Sequence, residues 1–237
     1  MSRPSPLSRR LACLALCLPL LAAAQVRLSP ATDAAAAGMV DLQRLAPDIQ
    51  VEMRYAGSDN FTGAPVPGYE ANRCLLLAPV AQAVARVQAD LRRQGLGLRV
   101  YDCYRPAHSV RAFMRWAAGA DDPEQKARWY PRVDKSALVP DYIAATSGHS
   151  RGATIDLTLQ RCDAGACEPL DMGTPFDLFD PLAHTDAPGL AEPVRGNRQR
   201  LVQAMAAHGL VNYPLEWWHF TLRPEPDPGT AYDFPVR

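Results

Sequence analysis

The chain has 237 residues, 48% of them hydrophobic, with 25 Lys+Arg against 25 Asp+Glu. That length is enough to bury a full core without help from metals or cross-links, and the balanced charge excludes an electrostatic grip on nucleic acid, which needs a basic face. The 22 prolines indicate a loop-rich surface, while the apolar content excludes a disordered chain.

Residues 1–24 stand apart. Arg3, Arg9 and Arg10 precede an apolar run from Leu11 to Leu21, and Ala22-Ala23-Ala24 offers the small side chains that a signal peptidase requires. The run falls short of the ~20 apolar residues of a comfortable membrane span. A signal peptide cleaved after Ala24 is therefore expected in preference to an anchor, with export to a periplasm and no stable membrane association afterwards. The mature domain would be residues 25–237. Cleavage removes three Arg and no acids, leaving 22 basic against 25 acidic residues and a net charge of −3. It also removes Cys13 and Cys17. In an oxidising compartment Cys74, Cys103, Cys162 and Cys167 read as two disulfides, for which three pairings exist. Cys162 and Cys167 flank a turn-like Asp163-Ala164-Gly165-Ala166 and could staple a hairpin, which leaves Cys74 with Cys103. A cysteine zinc site is the weaker competitor, since no C-x-x-C knuckle is present.

No repeat or low-complexity linker follows residue 25, so a single domain is expected. Apolar residues at helical spacing (Leu77, Val80, Val84, Val87, Leu91) predict a helix over Leu76–Arg93, stopped by Gly95. Leu96–Tyr101 alternates as a strand, and Pro106 opens a helix to about Ala118. Ala153–Leu159 is a strand with Thr154, Asp156 and Thr158 on a polar face and Ile155, Leu157 and Leu159 opposite. A helix over Asn197–Ala207 ends at Gly209, and Trp218–Leu222 is a last strand. This succession lacks strict βαβ alternation and predicts an α+β fold, a central antiparallel sheet flanked by helices.

Two clusters carry chemistry: Ser147-Gly148-His149-Ser150-Arg151-Gly152-Ala153-Thr154-Ile155-Asp156 and Glu216-Trp217-Trp218-His219. A carboxylate on the strand must be solvated, hydrogen-bonded or bound to a cation, and Gly152 would let the chain turn so that His149 folds back beside Asp156. If the two segments are neighbouring strands, His149, Asp156 and His219 converge as a His₂Asp set suited to Zn²⁺ with one position open for water. Glu216 would then accept a proton from that water. Taken singly, each residue reads as structural: a lone His is usually a surface or core residue, and paired tryptophans are usually core.

The combined pattern, S-x-H-x-x-G-x-x-x-D followed by E-x-W-H, resembles the zinc D-alanyl-D-alanine metallopeptidases. Arg54-Tyr55-Ala56, Asp59-Asn60-Phe61-Thr62-Gly63, Asp102-Cys103-Tyr104-Arg105-Pro106, Met172-Gly173-Thr174 with Phe176-Asp177, Asn197-Arg198 and Asp233-Phe234-Pro235-Val236 narrow the likeness to the dipeptidases of the vancomycin-resistance type. It runs from about residue 40 to the C-terminus. The resemblance implies one zinc ion on the sheet held by His149, Asp156 and His219, with Glu216 as catalytic base and Arg105 stabilising the anionic intermediate. It further implies that Tyr55 and Asp177 hold the ammonium group of D-alanyl-D-alanine, that Ser147 lines the pocket and that Asp102 orients Arg105. Two departures stand out. Thr154 occupies a position where the family usually has Ala, and Cys103 replaces a Gly; a Cys74–Cys103 bond would tether the arginine loop to the long helix. The leader also separates this chain from the cytoplasmic resistance enzymes. The competing readings are a D-Ala-D-Ala carboxypeptidase or wall endopeptidase with an open groove, and an inactive zinc-stabilised wall-binding module.

Overall fold

A computed structural model describes residues 26–163 and 166–237. The expected leader and its cleavage site lie outside the described residues, as do Ala164 and Gly165. In chain order the elements are β1 (Arg27–Leu28), β2 (Met39–Asp41), β3 (Gln50–Val51), β4 (Leu75–Leu77), α1 (Ala78–Arg92), β5 (Leu96–Asp102), α2 (Ala107–Ala117), α3 (Pro123–Trp129), β6 (Thr154–Asp163), β7 (Ala166–Pro169), α4 (Glu192–Ala206), β8 (Leu210–Asn212), β9 (His219–Leu222) and β10 (Thr230–Ala231). The fold is α+β. None of the described helices is long and apolar enough to cross a membrane.

The largest sheet has six strands in the order β3-β5-β6-β9-β8, with β7 paired to β6. It is mixed rather than wholly antiparallel as expected, because β3 lies parallel to β5 in the register Gln50↔Arg99 and Val51↔Val100. Parallel neighbours need a crossover, and the chain between them runs through β4 and α1. The remaining pairs are antiparallel.

The long helix begins at Ala78, not Leu76, with Pro79 in its first turn, where a missing N–H costs nothing. Leu75–Leu77 is instead a strand paired with β2. A run of three leucines carries no period of its own, and pairing with Met39–Asp41 decides its state. Helix α4 starts at Glu192, five residues ahead of the predicted Asn197. β6 carries the predicted polar and apolar faces, and Thr154 through Gln160 are all buried, so its polar face is covered as fully as its apolar one.

Both disulfides form. Cys162 and Cys167 face each other across the β6–β7 hairpin. Cys74 bonds Cys103, which fixes the loop after β5 to the entry of β4, where Tyr104 N–H also donates to Leu75 O at 2.9 Å. The tether therefore reaches the strand before α1 rather than the helix itself.

Candidate metal centre and active site

His149 opens a 3₁₀ turn, His149–Arg151, that Gly152 closes in the left-handed region at φ 68°. A side chain at that position would be strained, and its Cβ would lie 2.6 Å from Met39 Cε and 3.2 Å from Leu77 Cγ. The reversal brings His149 back over β6. There Asp156 sits directly opposite His219 of β9 in the antiparallel register, so a single cross-strand pair supplies two of the three expected ligands.

His149 Nε2 and His219 Nδ1 lie 3.3 Å and 3.1 Å from Asp156 Oδ1, and 3.4 Å from each other. Four ligands at the ~2.0–2.1 Å bond lengths of tetrahedral zinc stand about 3.3 Å apart. The tautomer of His149 also suits a ligand, since Nδ1–H donates to the carbonyl of Cys103 at 2.7 Å and leaves the Nε2 lone pair facing inward. Asp156 Oδ1 is buried and receives no hydrogen bond. A bare carboxylate oxygen facing two imidazole nitrogens calls for a cation. The donor set therefore fits Zn²⁺, and among the described residues these three make up the group of His, Cys, Asp or Glu close enough to share an ion.

Glu216 Oε2 is 3.3 Å from His219 Nδ1. Its turn is tied to the sheet: Asn212 Nδ2 donates to Glu216 O at 3.0 Å and to His219 O at 3.1 Å. Burial pushes the Glu216 carboxyl well up, the charge of Asp156 adds to this, and Arg105 opposes it. Arg105 reaches Asp102 Oδ2 through Nε at 3.0 Å and Nη2 at 2.8 Å, with Nη2 3.8 Å from Asp156 Oδ2. Its guanidinium lies 5.2 Å and 4.9 Å from the ring centroids of Tyr55 and Phe113. Burial opposes its charge, but Asp102 outweighs that and holds it firmly protonated. The other oxygen of Asp102 accepts from Tyr69 Oη at 2.7 Å and from Cys103 N–H at 2.9 Å.

Asp177 adopts φ 63°, uncommon for a residue with a side chain. Its Oδ1 accepts from Tyr55 Oη at 3.1 Å, whereas Oδ2 is buried with no partner. Burial, followed by the charge of Asp156, pushes its carboxyl well up. Ser147 Oγ accepts from His149 N–H at 3.2 Å, so part of its hydrogen-bonding capacity stabilises the ligand turn.

Tyr55, Arg105, Ser147, His149, Asp156, Asp177, Glu216 and His219 all line one cavity of ≈ 200 Å³. Asp102 does not line it and lies beneath Arg105. Sequence reasoning did not identify Tyr69, the carbonyl of Cys103, or the walls formed by Tyr142 and Tyr213. A backbone carbonyl leaves no trace in sequence, and an isolated Tyr is not distinctive.

The Peptidase_M15 family model, described as D-ala-D-ala dipeptidase, matches residues 35–237. A D-alanyl-D-alanine dipeptidase of Streptomyces coelicolor is 42% identical over 196 residues, covering 82% of this chain and 96% of the relative. One from Enterococcus faecium is 40% identical over 201 residues, covering 84% and 98%. One from Escherichia coli is 36% identical over 184 residues, covering 78% and 84%.

Proposed function

The chain belongs to the D-alanyl-D-alanine dipeptidase family, and we propose from that membership and from its site that it hydrolyses D-alanyl-D-alanine to two D-alanine. The observation that carries the proposal is the convergence of two imidazole nitrogens and an unpartnered carboxylate oxygen at 3.1–3.4 Å, beside a buried Glu and Arg. His149, Asp156 and His219 would hold one zinc ion. When bound, such an ion supplies a Lewis acid and makes water acidic enough to deprotonate near neutral pH.

The chain's own residues divide the remaining work. Glu216 Oε2 takes the proton of the attacking water and returns it to the leaving amine, a task suited to a carboxylate whose proton affinity burial has raised. Arg105 is fixed in place by Asp102 and directs its charge to where the oxyanion develops, so no reorganisation is needed during the reaction. Asp177 and Tyr55 take the substrate's ammonium group. The free Oδ2 of Asp177 has a buried acceptor to offer, and an ammonium there offsets the burial that otherwise favours its protonation. Ser147 completes the wall beside His149. A cavity of ≈ 200 Å³ is below the roughly 300–1,000 Å³ of ordinary ligand pockets, which supports a zwitterionic dipeptide over the open groove of a carboxypeptidase or endopeptidase. Retention of Glu216 and Arg105 argues against an inactive wall-binding module, since a structural zinc site needs neither.

We also place the protein outside the cytoplasm, with residues 1–24 as a cleaved leader. The two disulfides support an oxidising compartment. N-terminal sequencing of the mature protein from a periplasmic extract tests this: a start at Gln25 is expected, and an intact Met1 rejects it.

The activity test incubates zinc-loaded protein with D-Ala-D-Ala and with a longer peptide ending in D-Ala-D-Ala. Release of D-alanine from the dipeptide is expected. Cleavage of the longer peptide alone would transfer the protein to the carboxypeptidases.

A further inference from the structure

We propose that the hydroxyl of Tyr213 sets the length limit of the substrate by latching residues 140–147 over the catalytic cavity. The proposal rests on the dipeptidase reading and deepens it. Pro140, Asp141, Tyr142, Ile143 and Ala144 form one continuous wall of the cavity, yet this strap belongs to no helix or strand. Buried Leu138 anchors its start, accepting from the N–H groups of Tyr142 and Ile143 at 2.9 Å. Beyond that, Ile143 is buried and Arg151 Nη1 donates to Ser147 O at 3.3 Å, while two phenols tie the middle of the strap across the cavity. Tyr213 Oη donates to the carbonyl of Asp141 at 2.8 Å, and Tyr142 Oη lies 2.9 Å from His184 Nε2.

Tyr213 is well placed for this role. Its N–H donates to His219 O at 2.9 Å and its carbonyl accepts from Glu216 N–H at 3.0 Å. One side chain therefore joins the strap to the turn that presents both Glu216 and His219. With the ammonium end of the substrate taken by the buried Asp177–Tyr55 pair, a third residue at the other end must leave a cavity of only ≈ 200 Å³. The strap is a wall tied across the cavity by single side-chain hydrogen bonds rather than by a ladder, so releasing one tie would make room for such a chain.

Tyr213→Phe keeps the ring beside His219, 5.7 Å between centroids, and removes only the latch oxygen. Steady-state kinetics of the zinc-loaded variant would compare D-Ala-D-Ala, D-Ala-D-Ala-D-Ala and N-acetyl-D-Ala-D-Ala. The tripeptide-to-dipeptide ratio of kcat/KM should rise roughly tenfold or more, and the dipeptide KM should rise severalfold while kcat stays within about twofold. The acetylated dipeptide should remain refused, because the ammonium clamp is untouched. Tyr142→Phe, which loosens the second tie, should move the ratio the same way. A ratio unchanged in Tyr213→Phe overturns the latch, as does acceptance of the acetylated dipeptide in step with the tripeptide. Turnover of D-Ala-D-Ala by the parent protein is the separate control: its absence sinks the dipeptidase reading, whereas a flat ratio in an active enzyme sinks only the latch.

Discussion

A buried carboxylate oxygen without a donor is costly unless a cation meets it, and Asp156 Oδ1 is such an atom. Its neighbours should separate cleanly under mutation. His149→Ala removes one of three ligands and should lose zinc, as read by metal analysis of the purified protein. Glu216→Ala should keep about one zinc per chain while kcat falls by roughly 10²–10⁴; full activity in that variant would remove Glu216 from the reaction. These residues were legible because their chemistry requires particular types at particular spacings, S-x-H…D and E-x-W-H. The parts that hold them were not. Tyr69 steadies Asp102 and the Cys103 carbonyl steadies His149, and both act across contacts that only the fold creates. Thr154, where the family resemblance leads one to expect Ala, is accommodated by its neighbours. It bonds Thr221 Oγ1 at 2.9 Å, and a Cβ added at Gly148 would collide with its Oγ1 and lie 3.3 Å from its Cβ. Gly148→Ala should cost about 1–3 kcal/mol, and Thr154→Ala in the same chain should restore most of it. A denaturant-unfolding double-mutant cycle measures the coupling, and simple additivity would show that the two sites do not meet.

Elements were legible where a face is buried with a clean period. Val80, Val84, Val87 and Leu91 mark α1, and all are buried. Short elements made by pairing escaped: β3 has two residues, and only its place beside β5 makes it a strand. Helix α3 does carry a local signal, an Asp-Pro start in which Asp122 accepts from Glu124 and Gln125 N–H at 2.9 Å and 3.1 Å. A similar cap operates at Asp180, which accepts from Leu182 N–H at 2.8 Å and from Arg132 Nε at 2.6 Å. Arg132 holds its carboxyl below the usual range, with the Leu182 N–H assisting against burial. A depressed folded pKa means that the unfolded chain binds more protons as the pH drops, so stability rises with pH across that window. Asn caps a helix as well as Asp, so the advantage of the parent over Asp180→Asn comes from the ion pair with half-exposed Arg132, about 0.5–1 kcal/mol, and should be complete above the ordinary Asp pKa of ~3.9. It should fade as pH falls below that value through the folded pKa. Thermal melts of both proteins at pH 6 and pH 3 measure it, and a gap that widens in acid would contradict the assignment.

At the scale of the whole molecule, the site depends on sequence-distant segments being held together. His149 and His219 are 70 residues apart, and the loop that orients His149 is tied to β4 by the Cys74–Cys103 bond. An unfolded chain spreads these side chains apart, so a zinc ion held between them would bind the folded state in strong preference and stabilise it by mass action. At free zinc about 1,000-fold above Kd the gain is roughly 4 kcal/mol. For a domain of this size each kcal/mol moves Tm by about 2–4 °C, so zinc-loaded protein should melt on the order of 8–16 °C above the chelated form. Calorimetry with the disulfides intact gives the shift directly. Glu216→Ala, which leaves all three ligands in place, should show the same rise, whereas His149→Ala should lose most of it. Equal melting temperatures with and without chelator would mean that the three converging atoms hold no ion. A full rise in His149→Ala would mean that zinc acts somewhere other than between β6 and β9.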